Sequence, residues 1–250
     1  MTQWDNMKLK ILSEYRGNPD SWLQQPMIKR TMHPTHASLA MKYFTYLREN
    51  APHLLEGIKE NPYAKPTITT RGFSLTTLQY LYYIHLIDTK ICLTNEIKEI
   101  CEIGGGYAPF PKLLENIGFD GKYSIVDFPE FHEFQSEYIK ATTVGHVIPS
   151  FHTLDDDFSP MTNVFGVTNH KSLMFATFSL NEMPLLDREK VIKNLKHENF
   201  MFIFNRSFDG IDNLKWFYEL RLRLEDRYII ESWKCPIHFS ANIMVGSLGV

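Results

Sequence analysis

The sequence predicts an α/β fold: a mostly parallel sheet that ends in an antiparallel hairpin and follows a helical segment. Three observations predict it. From residue 96 onward, short apolar runs alternate with helix-like stretches, the pattern of a parallel sheet flanked by helices. The last two apolar runs are joined by a turn too short for the crossover of a dozen or so residues that parallel neighbours need. Upstream, Pro19, Pro26, Pro34, Pro52, Pro62 and Pro66 divide the chain into helical pieces, because a proline inside a helix removes a hydrogen bond and clashes with the preceding turn. Residues 1–95 are therefore expected to form a helical segment, and residues 96–250 the sheet domain.

The elements follow in order. Ala37–Arg48 places Leu39, Tyr43, Phe44 and Leu47 at helical spacing. Ser74 is positioned to cap a helix over Leu75–Ile91, whose stripe is Leu78, Leu81, Tyr82, His85 and Leu86. Ile97–Ile103 is an apolar strand ending at glycines. Pro111–Ile117 is helical, Tyr123–Phe128 a strand, Pro129–Lys140 a helix and Gly145–Pro149 a strand. An irregular stretch runs to about residue 170. Ser172–Phe178 reads as a buried strand, Leu186–Lys196 as a helix and Asn199–Asn205 as a strand. A helix spans Ile211–Glu225, with Asp209 or Asp212 near its start. Arg227–Trp233 and Phe239–Val245 are the closing strands.

Composition narrows the class. The chain has 250 residues, 44% hydrophobic and 14% aromatic, enough to bury a large core. Its formal charge of −3 supplies no global basic field, so a nucleic-acid partner is not expected. Cys92, Cys101 and Cys235 form no CxxC pair, so neither a disulfide framework nor a zinc knuckle is expected, and a reducing, cytoplasmic setting fits. The N-terminus lacks the apolar run of a signal peptide. No run of about 18 apolar residues predicts a membrane span.

The most informative segment is Glu102-Ile103-Gly104-Gly105-Gly106-Tyr107-Ala108-Pro109. It leaves an apolar strand and enters a helix. Glycines there permit positive φ and close backbone approach to a ligand, and the helix start offers free N–H groups. A tight strand-to-helix turn without ligand is the plain alternative. Asp127 favours a ligand: it ends the next strand, where a carboxylate can accept both hydroxyls of a ribose. Capping the following helix is a compatible second role. A dinucleotide fingerprint needs glycine where Pro109 stands, and proline removes a donor from the pyrophosphate position. Glu102 likewise repels a pyrophosphate and favours a cationic ligand. The turn therefore points to S-adenosylmethionine (SAM) rather than a nicotinamide cofactor.

Three blocks carry a family resemblance: EICEIGGGYAPFPKLL (99–114), YSIVDFPEFHEFQSEYI (123–139) and SLMFATFSLNEMP (172–184). In these the chain resembles class I SAM-dependent methyltransferases, and more narrowly the sugar O-methyltransferases among them. The resemblance spans roughly residues 96–250 and is weaker upstream. It departs from the family at Ala108, where glycine is usual; if that position requires positive φ, alanine costs about 1 kcal/mol. The resemblance implies a Rossmann-like seven-stranded sheet, with the 1–95 segment as a lid or a dimer contact. It implies that Glu102, Gly104 and Gly106 contact or accommodate the methionine part of SAM, with Gly105 and Tyr107 of the same turn also in the cofactor site. By the same likeness, Asp127 holds the ribose, Phe128 packs near the adenine, and Ser179 and Glu182 face the transferred methyl. The acceptor it implies is a sugar or glycan-like small molecule. Oligomeric state is left open, a homo-oligomer included.

Methyl transfer to an alcohol needs alignment and removal of the hydroxyl proton. Glu182, just past an apolar strand, is the first candidate base; alternatively it opens a loop before Pro184. Asn181 is read either as orienting the substrate or as capping the turn. His152, beyond the third strand, is the second candidate, because imidazole titrates near neutrality; an exposed loop histidine is the plainer reading of it, and of His238. His85 is expected in the core. Asp155, Asp156 and Asp157 are hard oxygen ligands in principle, but such a run is usually a solvated patch, and no metal is expected. Arg71 and Ser74 either reach the cofactor or acceptor or simply begin a capped helix. Tyr80, Tyr82 and Tyr83 are read as core aromatics ahead of sugar-stacking ones. Competing functions are a methyltransferase for another small molecule (N- or O-acceptor) and an inactive binding protein on the same fold.

Overall fold

A computed structural model describes residues 3–143, 145, 147–160 and 171–249. Its helices are α1 (Gln3–Gly17), α2 (Pro26–Thr31), α3 (Ala37–Asn50), α4 (Leu75–Ile91), α5 (Leu93–Glu96), α6 (Phe110–Asn116), α7 (His132–Thr142), α8 (Ser179–Glu182), α9 (Leu185–Lys193) and α10 (Asn213–Leu224). Its strands are β1 (Ile97–Ile103), β2 (Lys122–Val126), β3 (Ser150–His152), β4 (Lys171–Thr177), β5 (Asn199–Asn205), β6 (Ser207–Phe208), β7 (Ile211–Asp212), β8 (Tyr228–Lys234) and β9 (Ala241–Leu248). Among the described residues, no helix is long and apolar enough to cross a membrane. The chain divides into two compact units that interleave along the sequence. The first takes Met1–Leu86, Gly105–Phe119 and Pro129–Ile148; the second takes Ile87–Gly104, Asp120–Phe128 and Pro149–Val250.

The second unit holds one seven-stranded sheet in the order β3-β2-β1-β4-β5-β9-β8. Strands β1 to β5 pair in parallel, and β9 runs antiparallel to both β5 and β8. The strand order reverses at β1, whose neighbours are β2 and β4, and ligands of such sheets bind at the carboxyl ends beside that reversal. Strand β5 is apolar on both faces and almost wholly buried, as a central strand of a covered parallel sheet must be; β1 is nearly as buried, although it carries Lys98, Glu99 and Glu102. One core cluster joins Ile103, Met174, Phe200, Phe202 and Met244 of the sheet to Val191 and Ile192 of α9 and to Phe217, Leu220 and Leu224 of α10.

The first unit is helical. Its core is aromatic: Trp22 meets Tyr15, Tyr107, Phe134 and Tyr138 at centroid distances of 5.5–6.1 Å. Tyr80, Tyr82 and Tyr83 are buried in it, as core aromatics. His85 is partly buried, 5.8 Å from the Tyr46 ring. Ser74 begins α4 as expected: its hydroxyl accepts the Thr77 N–H at 3.1 Å, while its own N–H goes to Glu60 at 2.5 Å. That cap commits Ser74 to the helix start. Arg71 lies exposed in the left-handed turn before it.

Two expected elements move. The third strand is Ser150–His152 rather than Gly145–Pro149. Gly145 sits at φ +97 and Pro149 has no N–H to donate, so pairing starts only after the proline. The latter half of the irregular stretch, residues 161–170, lies outside the described residues. The helix expected from Ile211 begins at Asn213, with the Asp212 carboxylate accepting the Lys215 N–H at 3.1 Å. Ile211 and Asp212 instead pair with Phe208 and Ser207 across Asp209-Gly210, both at positive φ. An Asp-Gly pair is the sequence mark of such a two-residue hairpin.

Ala108 takes φ +62, so the departure from the family's glycine does carry a backbone cost. Ala108→Gly is expected to stabilise the protein by about 1 kcal/mol, a rise of roughly 2–4 °C in melting temperature for a chain this long. Calorimetric melting checks it; a lower melting temperature would show that alanine is accommodated without strain.

Candidate active site

Strands β2, β1 and β4 lie side by side, so the residues that follow them meet at one end of the sheet. The ladder continues slightly past the formal strand ends. Gly104 N–H donates to the Val126 carbonyl at 2.8 Å, Asp127 N–H to His152 at 3.0 Å and Phe178 N–H to Ile203 at 2.7 Å. Gly104, Asp127 and the Ser179–Glu182 turn are thereby brought together.

Gly104 adopts φ +73, and a Cβ there would overlap the Ser179 side chain. The Ser179 hydroxyl donates to the Ile103 carbonyl. Ser179 therefore locks the β4 exit onto the β1 exit, with its hydroxyl already engaged. Glu102 is fully buried and accepts the Tyr123 hydroxyl from β2. One Asp127 carboxylate oxygen accepts the Phe128 N–H at 2.8 Å, a turn that holds the side chain at the strand end. The ring of Phe128 beside it is more than a third exposed, at 37%.

Gly105, Gly106 and Tyr107 belong to the helical unit. There the Gly106 carbonyl accepts the Gln135 side-chain N–H at 3.0 Å. Tyr107 is buried, and its hydroxyl lies 3.4 Å from His33 Nδ1. His33 Nε2 accepts the Thr67 N–H at 2.8 Å, which puts the ring proton on Nδ1, facing Tyr107 and the Thr76 hydroxyl at 3.2 Å. Burial lowers the His33 pKa to about 4, so this anchor of the turn stays neutral. Sequence reasoning missed His33.

Glu182 ends α8 and is partly buried. Among the described residues it makes no hydrogen bond or ion pair. Burial alone pushes its pKa up to about 7, because removing water penalises the charged form. A carboxylate poised near neutrality is matched to proton abstraction. Asn181 is fully buried, and its side-chain oxygen accepts the Asn205 N–H at 3.2 Å, so it ties the turn to β5.

The structure does not bring the second base candidate to the first. His152 ends β3, at the sheet edge, with Nε2 3.0 Å from the Ser150 hydroxyl. Strands β2 and β1 separate it from β4, about 14 Å at normal strand spacing. The three aspartates also point to separate partners. Asp155 pairs with Lys190 at 2.7 Å, Asp156 accepts the Thr153 N–H at 2.6 Å, and Asp157 accepts the Ser159 N–H at 3.0 Å.

An aromatic rim stands at the carboxyl end of β5. The antiparallel register pairs Asn205 with Ala241, which sets the β8–β9 turn there. His238 in that turn lies 5.7 Å from Phe178 and stacks on Phe239, interplanar angle 10°. Phe239 is 80% exposed. The Ser240 hydroxyl donates to Asn205 Oδ1 at 3.1 Å and lies 3.2 Å from His238 Nδ1.

No family model matches the chain, and no curated protein does. Solved structures do resemble it. The methyltransferase domain of a bacterial CtHen1 aligns in two crystal structures, each with a TM-score of 0.50 and 10% identity. The alignments cover 68% and 69% of this chain and 97% of that domain in both cases. At that identity the likeness speaks of architecture. The chain has the Rossmann-like, seven-stranded fold of class I SAM-dependent methyltransferases.

Proposed function

We propose that the protein is a SAM-dependent O-methyltransferase whose acceptor is a hydroxyl of a sugar or glycan-like molecule, with Glu182 as general base. The observation that carries this reading is the Glu182 carboxyl group: partly buried, unpartnered among the described residues, raised to about 7 and set beside the strand reversal of a methyltransferase fold.

The donor set fits the cofactor. Asp127 offers a carboxylate to a vicinal diol at the end of β2, and Phe128 offers an exposed ring beside it. Gly104 lets the chain turn away from β1 in a left-handed conformation. These residues form the proposed binding set of the sheet unit; Gly105, Gly106 and Tyr107 follow Gly104 in sequence. Glu102 and Ser179 contribute by building the floor under it, through Tyr123 and the Ile103 carbonyl. When bound, SAM supplies an electrophilic methyl group. Glu182 then accepts the acceptor's hydroxyl proton as that oxygen attacks. The sugar class rests on the resemblance of the three sequence blocks. The rim of Phe178, His238 and Phe239 supports it, since aromatic faces pack against the apolar side of a sugar ring while Ser240 and Asn205 offer hydrogen bonds.

Calorimetry with S-adenosylhomocysteine tests the cofactor. Asp127→Ala should weaken that binding by roughly 1–3 kcal/mol, the scale of hydrogen bonds to a charged group; undiminished affinity would remove Asp127 from the ribose. Transfer of label from methyl-tritiated SAM to a panel of free, phosphorylated and nucleotide-linked sugars tests the acceptor. Label appearing on amines only would replace the O-methyl reading by an N-methyl one.

A further inference from the structure

The Arg188 side chain is fully buried in α9. Burial lowers its pKa to about 10, which still leaves it charged. No described carboxylate pairs with it. Its nitrogens go to neutral acceptors. Nη2 donates to the Asn181 carbonyl at 2.5 Å, Nε to the Met183 carbonyl at 2.9 Å and Nη1 to Asn213 Oδ1 at 2.9 Å. Trp216 of α10 lies 4.9 Å from the guanidinium carbon, at cation–π range.

The two carbonyls belong to the residues on either side of Glu182. A four-residue helix such as α8 has no internal means of fixing its end, since its last carbonyls lack helical partners. Its start has no side-chain cap either: Phe178 holds that place in a left-handed conformation. A charge buried without a counter-ion costs several kcal/mol in principle, so stability alone does not favour arginine at this position over an apolar side chain. The planar, multiply donating guanidinium is instead suited to fixing several carbonyls at once.

We propose that Arg188 is the positioning residue of the Glu182 turn, clamping the carbonyls that flank the base to helix α10. This rests on the reading of Glu182 as the base. The clamp keeps the carboxylate partly withdrawn from water. Loss of water is what raises the carboxyl: β5 and β6, which α8 packs against, carry no charged residue, β4's one lysine, Lys171, stands at the far end of the strand, and Arg206 between β5 and β6 and Asp209 and Asp212 of the adjoining hairpin are exposed to solvent.

The test reads the carboxylate directly and needs no acceptor. Protein carrying carbon-13 glutamate is titrated by NMR, and the Glu182 signal is identified by its loss in Glu182→Gln. In Arg188→Lys the charge is kept while the three directed bonds are lost. The Glu182 midpoint should fall from near 7 by about one pH unit or more, because a released turn hydrates its carboxylate. Affinity for S-adenosylhomocysteine should stay within about threefold, a change of roughly 0.65 kcal/mol at RT of 0.59 kcal/mol. Arg188→Met is the harsher variant and should show the same fall if it folds. A Glu182 midpoint unmoved in Arg188→Lys overturns the clamp. So does a fall accompanied by loss of S-adenosylhomocysteine binding, which would mark general collapse of the sheet end. A wild-type protein that does not bind S-adenosylhomocysteine defeats the cofactor reading and leaves the Arg188 titration to stand on its own.

Discussion

Glu182→Gln is expected to lower methyl transfer by about 10²–10⁴-fold, the usual contribution of a positioned general base, while S-adenosylhomocysteine affinity changes little. Glutamine keeps the shape of the side chain and removes only its ability to take a proton. The wild-type rate should also depend on pH in a stated direction. With the carboxyl pKa raised to about 7, the group is largely protonated at pH 6 and cannot act as a base. Turnover should therefore climb through neutrality and level off above about pH 8. A rate that falls across this range would identify a protonated group as the essential one and remove Glu182 from the role.

The same residue has a second, opposite signature in stability. Its folded-state pKa lies above its ordinary value of 4.5, so between those two pH values the folded protein binds more protons than the unfolded chain. Stability is then full below about 4.5 and declines as pH rises toward 7, after which this contribution is constant. Removing the carboxylate should make Glu182→Gln more stable than the parent at pH 8, by an amount on the order of 2 kcal/mol. Gain of stability with loss of turnover is the mark of a group held in an unfavourable state for chemistry. A structural carboxylate would give the reverse.

Much of this site was legible in the residues because its parts are local. The turn after β1, the aspartate after β2 and the Asn-Glu pair after β4 each follow an apolar run ending in a visible signal. Their meeting follows from parallel pairing alone. The β1, β2, β4 and β5 strands and the closing hairpin fell close to where alternation and turn length put them. The rest depended on contacts between distant segments. Nothing near His33 announces that it anchors Tyr107, 74 residues away. Arg188 was more accessible than it looked. It shares helical spacing with Val191, Ile192 and Leu195, all buried, so a charge on that apolar stripe was already an anomaly. His152 was misleading for the opposite reason: its place after the third strand looked near the chemistry, and only the strand order sets β3 at the edge.

Gly104→Ala is expected to cost about 2–4 kcal/mol of stability, from two separable causes. Alanine at φ +73 pays roughly 1 kcal/mol for a left-handed backbone. Its methyl also enters space held by Ser179 Cβ and Oγ, the latter 2.8 Å from the new carbon, and overpacking of that kind costs about 1–3 kcal/mol. The partner variant Ser179→Gly separates them. Alone it loses the hydroxyl's bond to the Ile103 carbonyl, roughly 1 kcal/mol. Combined with Gly104→Ala it removes the overlap, so the double variant should be more stable than the sum of the single losses by about 1–3 kcal/mol. Urea unfolding of the four proteins measures this coupling. Simple additivity would mean that the exits of β1 and β4 do not touch here, and a seam that loose would not hold Glu182 against the same end of the sheet as Asp127.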